Sequence, residues 1–289
     1  MPIKILLDTD PGSDIDDALA ISYLLSQPEC ELLGITTVTG DVAKRAAIVE
    51  ALCETVSRRN VPIVCGRRGV LAYGPGQPNV PQYDAIADHH IRLDRKPDHA
   101  VDFLRETIRK HPNQVTLLSI GPLSNVGLLF ALDPEIPHLL KGFVSMAGAF
   151  HGFDNKEWNC VCDPVATAMV AAAPRGPHRW YGLDVTTKCT QNQAECEAHF
   201  TSPLLKLVLK MAGEWFQRAD RITFHDPLAA ACVFEPSLCT YGKGTVTVRA
   251  GDGATTFVEG EGADEVALTV DSKRFFDHYF SVAGSPKTG

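Results

Sequence analysis

The chain has 289 residues, 45% of them hydrophobic, and a formal net charge of −8. That apolar content suffices for one large α/β domain or two smaller ones, and the acidic balance argues against a nucleic-acid binder, which would present a basic face. No run reaches the roughly 20 apolar residues of a membrane span, and the N-terminus MPIKILLDTD reads as a strand, without a signal peptide's apolar stretch and cleavage site.

In chain order, IKILLD (3–8) reads as a buried strand and DDALAISYLLSQP (16–28) as a helix that stops at Pro28. ELLGITTV (31–38) is a strand and AKRAAIVEALCETVSRR (43–59) a helix. The strands continue with VPIVCG, QVTLLSIG (114–121), GFVSMAG and RWYGLDV (179–185). The helices continue with HAVDFLRETIRKH (99–111), LSNVGLLFALDP and DPVATAMVAAA (163–173). Strands separated by helices make a parallel sheet. The expected fold is therefore α/β, an open, mostly parallel, Rossmann-like sheet with helices on both faces. Two segments break the alternation. Residues 66–98 are rich in Gly, Pro, Asn and Asp, and a loop of that length is expected to be a functional lid or a mobile insertion. Residues 240–271 read as two or three antiparallel strands with Gly-rich turns, a small C-terminal hairpin region appended to the rest. DSKRFFDHYFSV closes the pattern as a helix capped by Asp271 or Ser272.

Nine cysteines (Cys30, Cys53, Cys65, Cys160, Cys162, Cys189, Cys196, Cys232 and Cys239) form no CxxC pair, and Cys160 with Cys162 are too few ligands for a structural zinc site. Several sit in apolar runs such as PIVCG and AAACVF, where a free thiol acts as a small core residue. They read as reduced thiols of a cytoplasmic protein.

The chemistry concentrates in LLDTDPGSDIDDALAI (6–21), where Asp8, Asp10, Asp14, Asp16 and Asp17 follow directly on the first strand. In an open parallel sheet, ligands bind beyond the carboxyl ends of the strands. The helix dipole favours Asp16 and Asp17 at the start of the next helix, but at about 0.3–1 kcal/mol per charge it does not account for five carboxylates. Like charges this close repel unless a cation neutralises them, and hard cations such as Ca²⁺ take oxygen ligands. An EF-hand loop does not fit: counted from Asp8, the glycine falls one position early and Leu19 stands where the closing glutamate belongs.

DTDPGSDIDDALAI resembles the N-terminal signature of the inosine-uridine nucleoside hydrolases, in a variant with two extra residues between the glycine and the Asp-Asp pair. The resemblance continues through ELLGITTVTGD (31–41), LLSIGPLSNVG (117–127), MAGAF (146–150), EWNCVCDPVA (157–166) and FHDPLAAA (224–231), and so covers most of the chain as a single domain, 1–289. It implies a Ca²⁺ ion held by Asp10, Asp17, Asp226 and the backbone carbonyl of Ile120. Asp10 would also be the general base toward the attacking water. Asp16 would take the ribose hydroxyls, Glu157 and Asn159 would grip the sugar, and His225 would protonate or orient the leaving base. The implied activity is hydrolysis of a nucleoside's N-glycosidic bond, and the implied assembly is a homodimer or homotetramer. With Asp10 activating the water and His225 serving the leaving base, the implied roles match the activated water and the acid by which glycosides are cleaved.

The chain departs from the family pattern in three places. Asp41 stands where an Asn is usual, adding a charge beside the sugar. The usual His-Gly-rich loop is replaced by residues 66–90, leaving His89 or His90 as stand-ins. The segment before EWN is short, leaving Asn155 as a candidate for the 5′-hydroxyl. Trp158 could stack on base or ribose, or be a core residue beside the site. Two other classes share parts of the pattern. A haloacid-dehalogenase-like phosphatase would use Asp8 as a covalent nucleophile. A non-catalytic ribosyl-ligand binding protein would keep the metal site without turnover.

Overall fold

In the computed structural model, which describes residues 2–87, 89, 93–174 and 176–284, the chain starts in the middle of its sheet. β1 (Ile3–Thr9) pairs in parallel with β2 (Cys30–Thr37) on one side and with β4 (Val115–Ser119) on the other. β3 (Ile63–Cys65) extends the β2 side, and β5 (Gly142–Met146) and β6 (His178–Tyr181) extend the β4 side, all parallel. β1 is covered on both faces, so its burial is continuous from Ile5 to Thr9, as its unbroken apolar run requires. The chain leaves β1 toward β2 and β3, then returns to β4 on the opposite side, so the strand order reverses between β1 and β4. A crevice opens at the carboxyl ends of strands at such a reversal.

The helices that connect the strands are α1 (Asp16–Ser26), α2 (Val42–Thr55), α3 (Ala100–Lys110), α4 (Ser124–Leu132), α5 (Ile136–Leu139), α6 (Trp158–Cys162) and α7 (Pro164–Ala172). RWYGLDV does not run as a strand to Val185. The ladder ends where β5 ends, at the pair Met146 and Tyr181. Beyond it Leu183–Thr186 coils into the short helix α8, and Thr186 and Thr187 bond their hydroxyls back to the carbonyls of Gly182 and Leu183. A two-stranded ribbon of β7 (Thr190–Asn192) and β8 (Arg221–Thr223) brackets α9 (Gln193–His199) and α10 (Pro203–Phe216), and α11 (His225–Phe234) follows directly.

The C-terminal hairpin is present and is joined to the main sheet. β9 (Cys239–Val248) is antiparallel to β10 (Thr255–Glu259) and to β11 (Asp264–Val270), while β11 runs parallel to β6. This covers the open edge that β6 would otherwise offer to another chain. α12 (Ser272–Ala283) is capped by Asp271, which accepts from the Arg274 amide at 3.0 Å. It docks on α1, where Tyr279 donates to the Leu19 carbonyl at 2.9 Å and stacks on Tyr23. Among the described residues no helix is long and apolar enough to cross a membrane. All nine cysteines are buried and unbridged, as their apolar settings led one to expect.

Candidate active site

β1 delivers Asp10 to the carboxyl end of the sheet, and Pro11 and Gly12 turn the chain there. Gly12 has φ +118°, and a Cβ at that position would meet Val80 at 2.3 Å, so only glycine lets residues 77–81 close over the turn. The turn ends at α1, whose first residues are Asp16 and Asp17. Far along the chain, α11 begins with His225 and Asp226, and Asp226 donates its amide to Asp16 at 3.1 Å. Ile120 follows β4, and α6 brings Glu157, Trp158 and Asn159 from beyond β5. Together these line a cavity of about 420 Å³, within the usual range for a small-molecule site.

Asp10, Asp16, Asp17, Ile120, Glu157, Trp158, Asn159, His225 and Asp226 line this cavity, and Asp41 does not. Asp41 accepts from the Lys44 amide at 3.1 Å and caps α2. Its carboxylate is used by the helix end, and this placement lends no support to a role at the sugar. Asn155 lies in an exposed turn outside the lining, and His89 is outside it too. His90 falls outside the described residues. Trp158 is 49% exposed at the cavity rim, so it is not a core residue.

Glu157 has a second task. Its carboxylate accepts from the amides of Asn159 (2.7 Å), Cys160 (3.1 Å) and Gly148 (3.2 Å), capping α6 and holding the loop after β5. Asn159 in turn donates its side-chain nitrogen to the carbonyls of Ile120 (3.0 Å) and Met146 (3.1 Å). Its amide oxygen is then the atom that can accept from a ligand hydroxyl.

Electrostatically the cavity is under strain. Burial raises the pKa of Asp17 to about 6, against the opposing hydrogen bond from Thr9 at 2.5 Å. Burial likewise raises Asp14 to about 7. Asp10, Asp16 and Asp226 are pushed well above the usual carboxylate range by burial first, and then by neighbouring aspartates. Carboxylate oxygens of Asp16, Asp17 and Asp226 lie within 4.8 Å of one another, the donor set of a hard cation. This trio shares Asp17 and Asp226 with the expected ligand set and has Asp16 where Asp10 was expected. Asp10 lines the same cavity from beside the trio.

His225 turns Nδ1 to the Thr186 hydroxyl at 2.7 Å, which leaves Nε2 for a ligand. Burial pushes its pKa down to about 4, so the ring is neutral at pH 7 rather than poised near 6.5 as an unperturbed histidine would be. Asp8 is fully buried and does not line the cavity. It accepts from Thr36 at 2.5 Å and from Asn125 at 2.7 Å, and burial raises its pKa to about 7. A buried acid without access to the cavity is not a nucleophile, which removes the main support for the phosphatase reading.

Sequence reasoning passed over Leu183, Trp215, Arg218 and Gln77, which also line the cavity. Nothing in the local pattern marks them, because loops and α10 bring them there from different parts of the chain. Arg45 was also missed, although a signal exists: it occupies the apolar stripe of α2 with Ile48, Val49 and Leu52.

The family profile of the inosine-uridine preferring nucleoside hydrolases matches residues 5–277. Uridine nucleosidase 1 of Arabidopsis thaliana is 30% identical over 85% of this chain and 78% of its own length. The non-specific ribonucleoside hydrolase of Escherichia coli is 31% identical over 95% and 96%. Among solved structures, a plant nucleoside hydrolase superposes with a TM-score of 0.85 at 25% identity, covering 99% of this chain and 100% of its own. The purine-preferring ribonucleoside hydrolase of Gardnerella vaginalis gives 0.80 at 26% identity, covering 97% and 98%. With the profile spanning nearly the whole sequence and an acidic cavity at the strand reversal, this chain belongs to the inosine-uridine preferring nucleoside hydrolase family and is a hydrolase of N-glycosyl compounds.

Proposed function

We propose that the chain cleaves ribonucleosides to free nucleobase and ribose with the help of a bound calcium ion. The observation that carries this reading is the convergence of buried carboxylates from α1 and α11 in one sugar-sized cavity, beside a histidine. Asp17 and Asp226, with Asp10 and the Ile120 carbonyl, would hold the ion. The donor set fits, since these carboxylates are buried, crowded and all oxygen. When bound, such a cation lowers the pKa of a water and gathers the sugar's hydroxyls.

The rest is done by side chains. Asp10 takes the proton from the water that attacks the anomeric carbon as the bond to the base breaks. Asp16 and the amide oxygen of Asn159 accept from ribose hydroxyls, and Glu157 keeps α6 in place for that contact. Trp158 covers the open side. His225 offers Nε2–H to the departing base in the tautomer in which Thr186 turns its one hydroxyl hydrogen from the Gly182 carbonyl to Nδ1. As a neutral imidazole it stabilises the charge developing on the base and orients it.

Incubation with inosine, uridine and p-nitrophenyl phosphate tests the reading. Equal release of base and ribose, lost on chelation, supports it. Nitrophenol release, or nucleoside binding without product, sinks it. Nine buried thiols accord with a reducing, cytoplasmic setting. Association as a dimer or tetramer rests on the family resemblance, and a monomer by sedimentation at micromolar concentration removes it.

A further inference from the structure

Arg45 is completely buried, on the inner face of α2. A guanidinium is rarely found there, and this one is surrounded by acceptors drawn from three separate loops. Nε donates to the Thr39 carbonyl at 2.8 Å, in a turn where Thr39 and Gly40 both have positive φ. Nη1 donates to the carbonyl of Asp10, to that of Pro11 at 3.0 Å and to the Ser13 hydroxyl at 3.2 Å. Nη2 donates to the Gln77 carbonyl at 2.6 Å. These acceptors are all neutral. Among the described residues, the carboxylate within ion-pair range is that of Asp10, with Oδ2 at 3.9 Å from Nη1. On its other side, Oδ1 of Asp10 lies against Gly121, where even a Cβ would come within 2.7 Å. The Asp10 carboxylate is therefore held between a glycine and a buried cation.

The bridged segments are the ones that shape the cavity. The β1–α1 turn carries Asp10, Ser13, Asp14, Asp16 and Asp17, and Gln77 stands in the cavity wall. No other charged side chain could replace this bridge. A lysine ammonium is a point charge on a flexible stem, whereas the planar guanidinium holds its donors in a fixed fork that reaches several acceptors at once.

We propose that Arg45 is a positioning residue for Asp10: by tying the β1–α1 turn to the Thr39 and Gln77 loops, it holds the Asp10 carboxylate at a fixed place on the cavity wall. The inference rests on the reading of Asp10 as the base toward water. Arg45 makes no hydrogen bond to the trio Asp16, Asp17 and Asp226, but Asp10 is itself read as a ligand of the ion, so displacing it should weaken cation binding in part as well as proton transfer.

The test compares wild type, Arg45→Lys and Arg45→Met, each full length. Thermal melts, kcat and KM on the nucleoside that wild type cleaves, and calcium affinity by calorimetry are measured side by side. A displacement near 1 Å of a reacting group costs about 10²-fold in rate, so Arg45→Met should lose about that much kcat and Arg45→Lys about 10-fold. KM should stay within about threefold, because the lost interaction acts on the reacting group and not on substrate binding. Calcium affinity should fall by less than kcat, by about fivefold or under, because Asp17, Asp226 and the Ile120 carbonyl keep supports that do not run through Arg45 and only Asp10 is displaced. Unchanged kcat, a loss confined to KM, a loss of calcium affinity as large as the loss of kcat, or two variants that fail to fold would each overturn the assignment. Wild type without turnover on any nucleoside removes the hydrolase reading and this inference with it. An active wild type beside unimpaired variants removes this inference alone.

Discussion

Divalent cation binding should be visible as pH-dependent stability, before any substrate is added. Between pH 5 and pH 8 the crowded aspartates change state: burial has raised Asp14 to about 7 and Asp17 to about 6. An acid whose folded pKa lies above its unfolded value stabilises the fold at low pH and loses that contribution as pH rises through the folded value. Without metal, the melting temperature should therefore fall from pH 5 to pH 8. A cation reverses this, because it binds only the ionised carboxylates. At a concentration one hundred times its Kd it adds about 2.7 kcal/mol. With an unfolding entropy of about 2.1 cal/mol/K per residue, the 289-residue chain gains about 4–5 °C at pH 8. At pH 5 a group with pKa near 6 is about one-tenth ionised, so Asp17 alone weakens binding about tenfold and removes roughly 2 °C of that gain. Calorimetric scans with chelator, CaCl₂ or MgCl₂ at the two pH values measure both effects. No shift with calcium at pH 8, or a larger one at pH 5, would refute the placement of a cation among these carboxylates.

Asp10→Asn should abolish turnover of every nucleoside, since each needs the water's proton removed; residual activity within tenfold of wild type contradicts that role. His225→Ala should cost about 10²–10⁴-fold on inosine while largely sparing p-nitrophenyl riboside, whose leaving group departs with little help. Equal losses on both would mean that His225 places the sugar or Asp226 instead. Thr9→Val removes the 2.5 Å hydrogen bond to Asp17, which should raise that acid's pKa and weaken calcium about tenfold or more by calorimetry; unchanged affinity would show that Asp17 is not a ligand. Glu157→Ala leaves the amides of Gly148, Asn159 and Cys160 without their acceptor and should destabilise the fold by about 1–3 kcal/mol in chemical denaturation. An unchanged midpoint would show that the α6 cap is dispensable.

Much of this protein is local and so could be read along the chain. The parallel sheet follows from apolar runs alternating with helical periods, because a strand buried on both faces must be apolar throughout, as β1 is. The aspartate cluster marks a candidate cation site because no local interaction justifies so much charge at one strand end. Residue types and spacings also carry the family motifs, and with them nine of the lining residues. What depends on neighbours distant in sequence was not legible. β6 stops at Tyr181 because β5 stops opposite it, and β11 joins the sheet because β6 leaves an edge. Asp41 carries the same charge wherever it points, and only the geometry of α2 turns it into a cap. His225 has an ordinary pKa until folding buries it. Arg45 looks like one more helix charge until three loops converge on its guanidinium. Pattern records which faces want burial, whereas burial depth, carboxylate spacing and hydrogen-bond partners are set by residues brought together from across the fold, and those quantities decide which groups stay charged and what they can do.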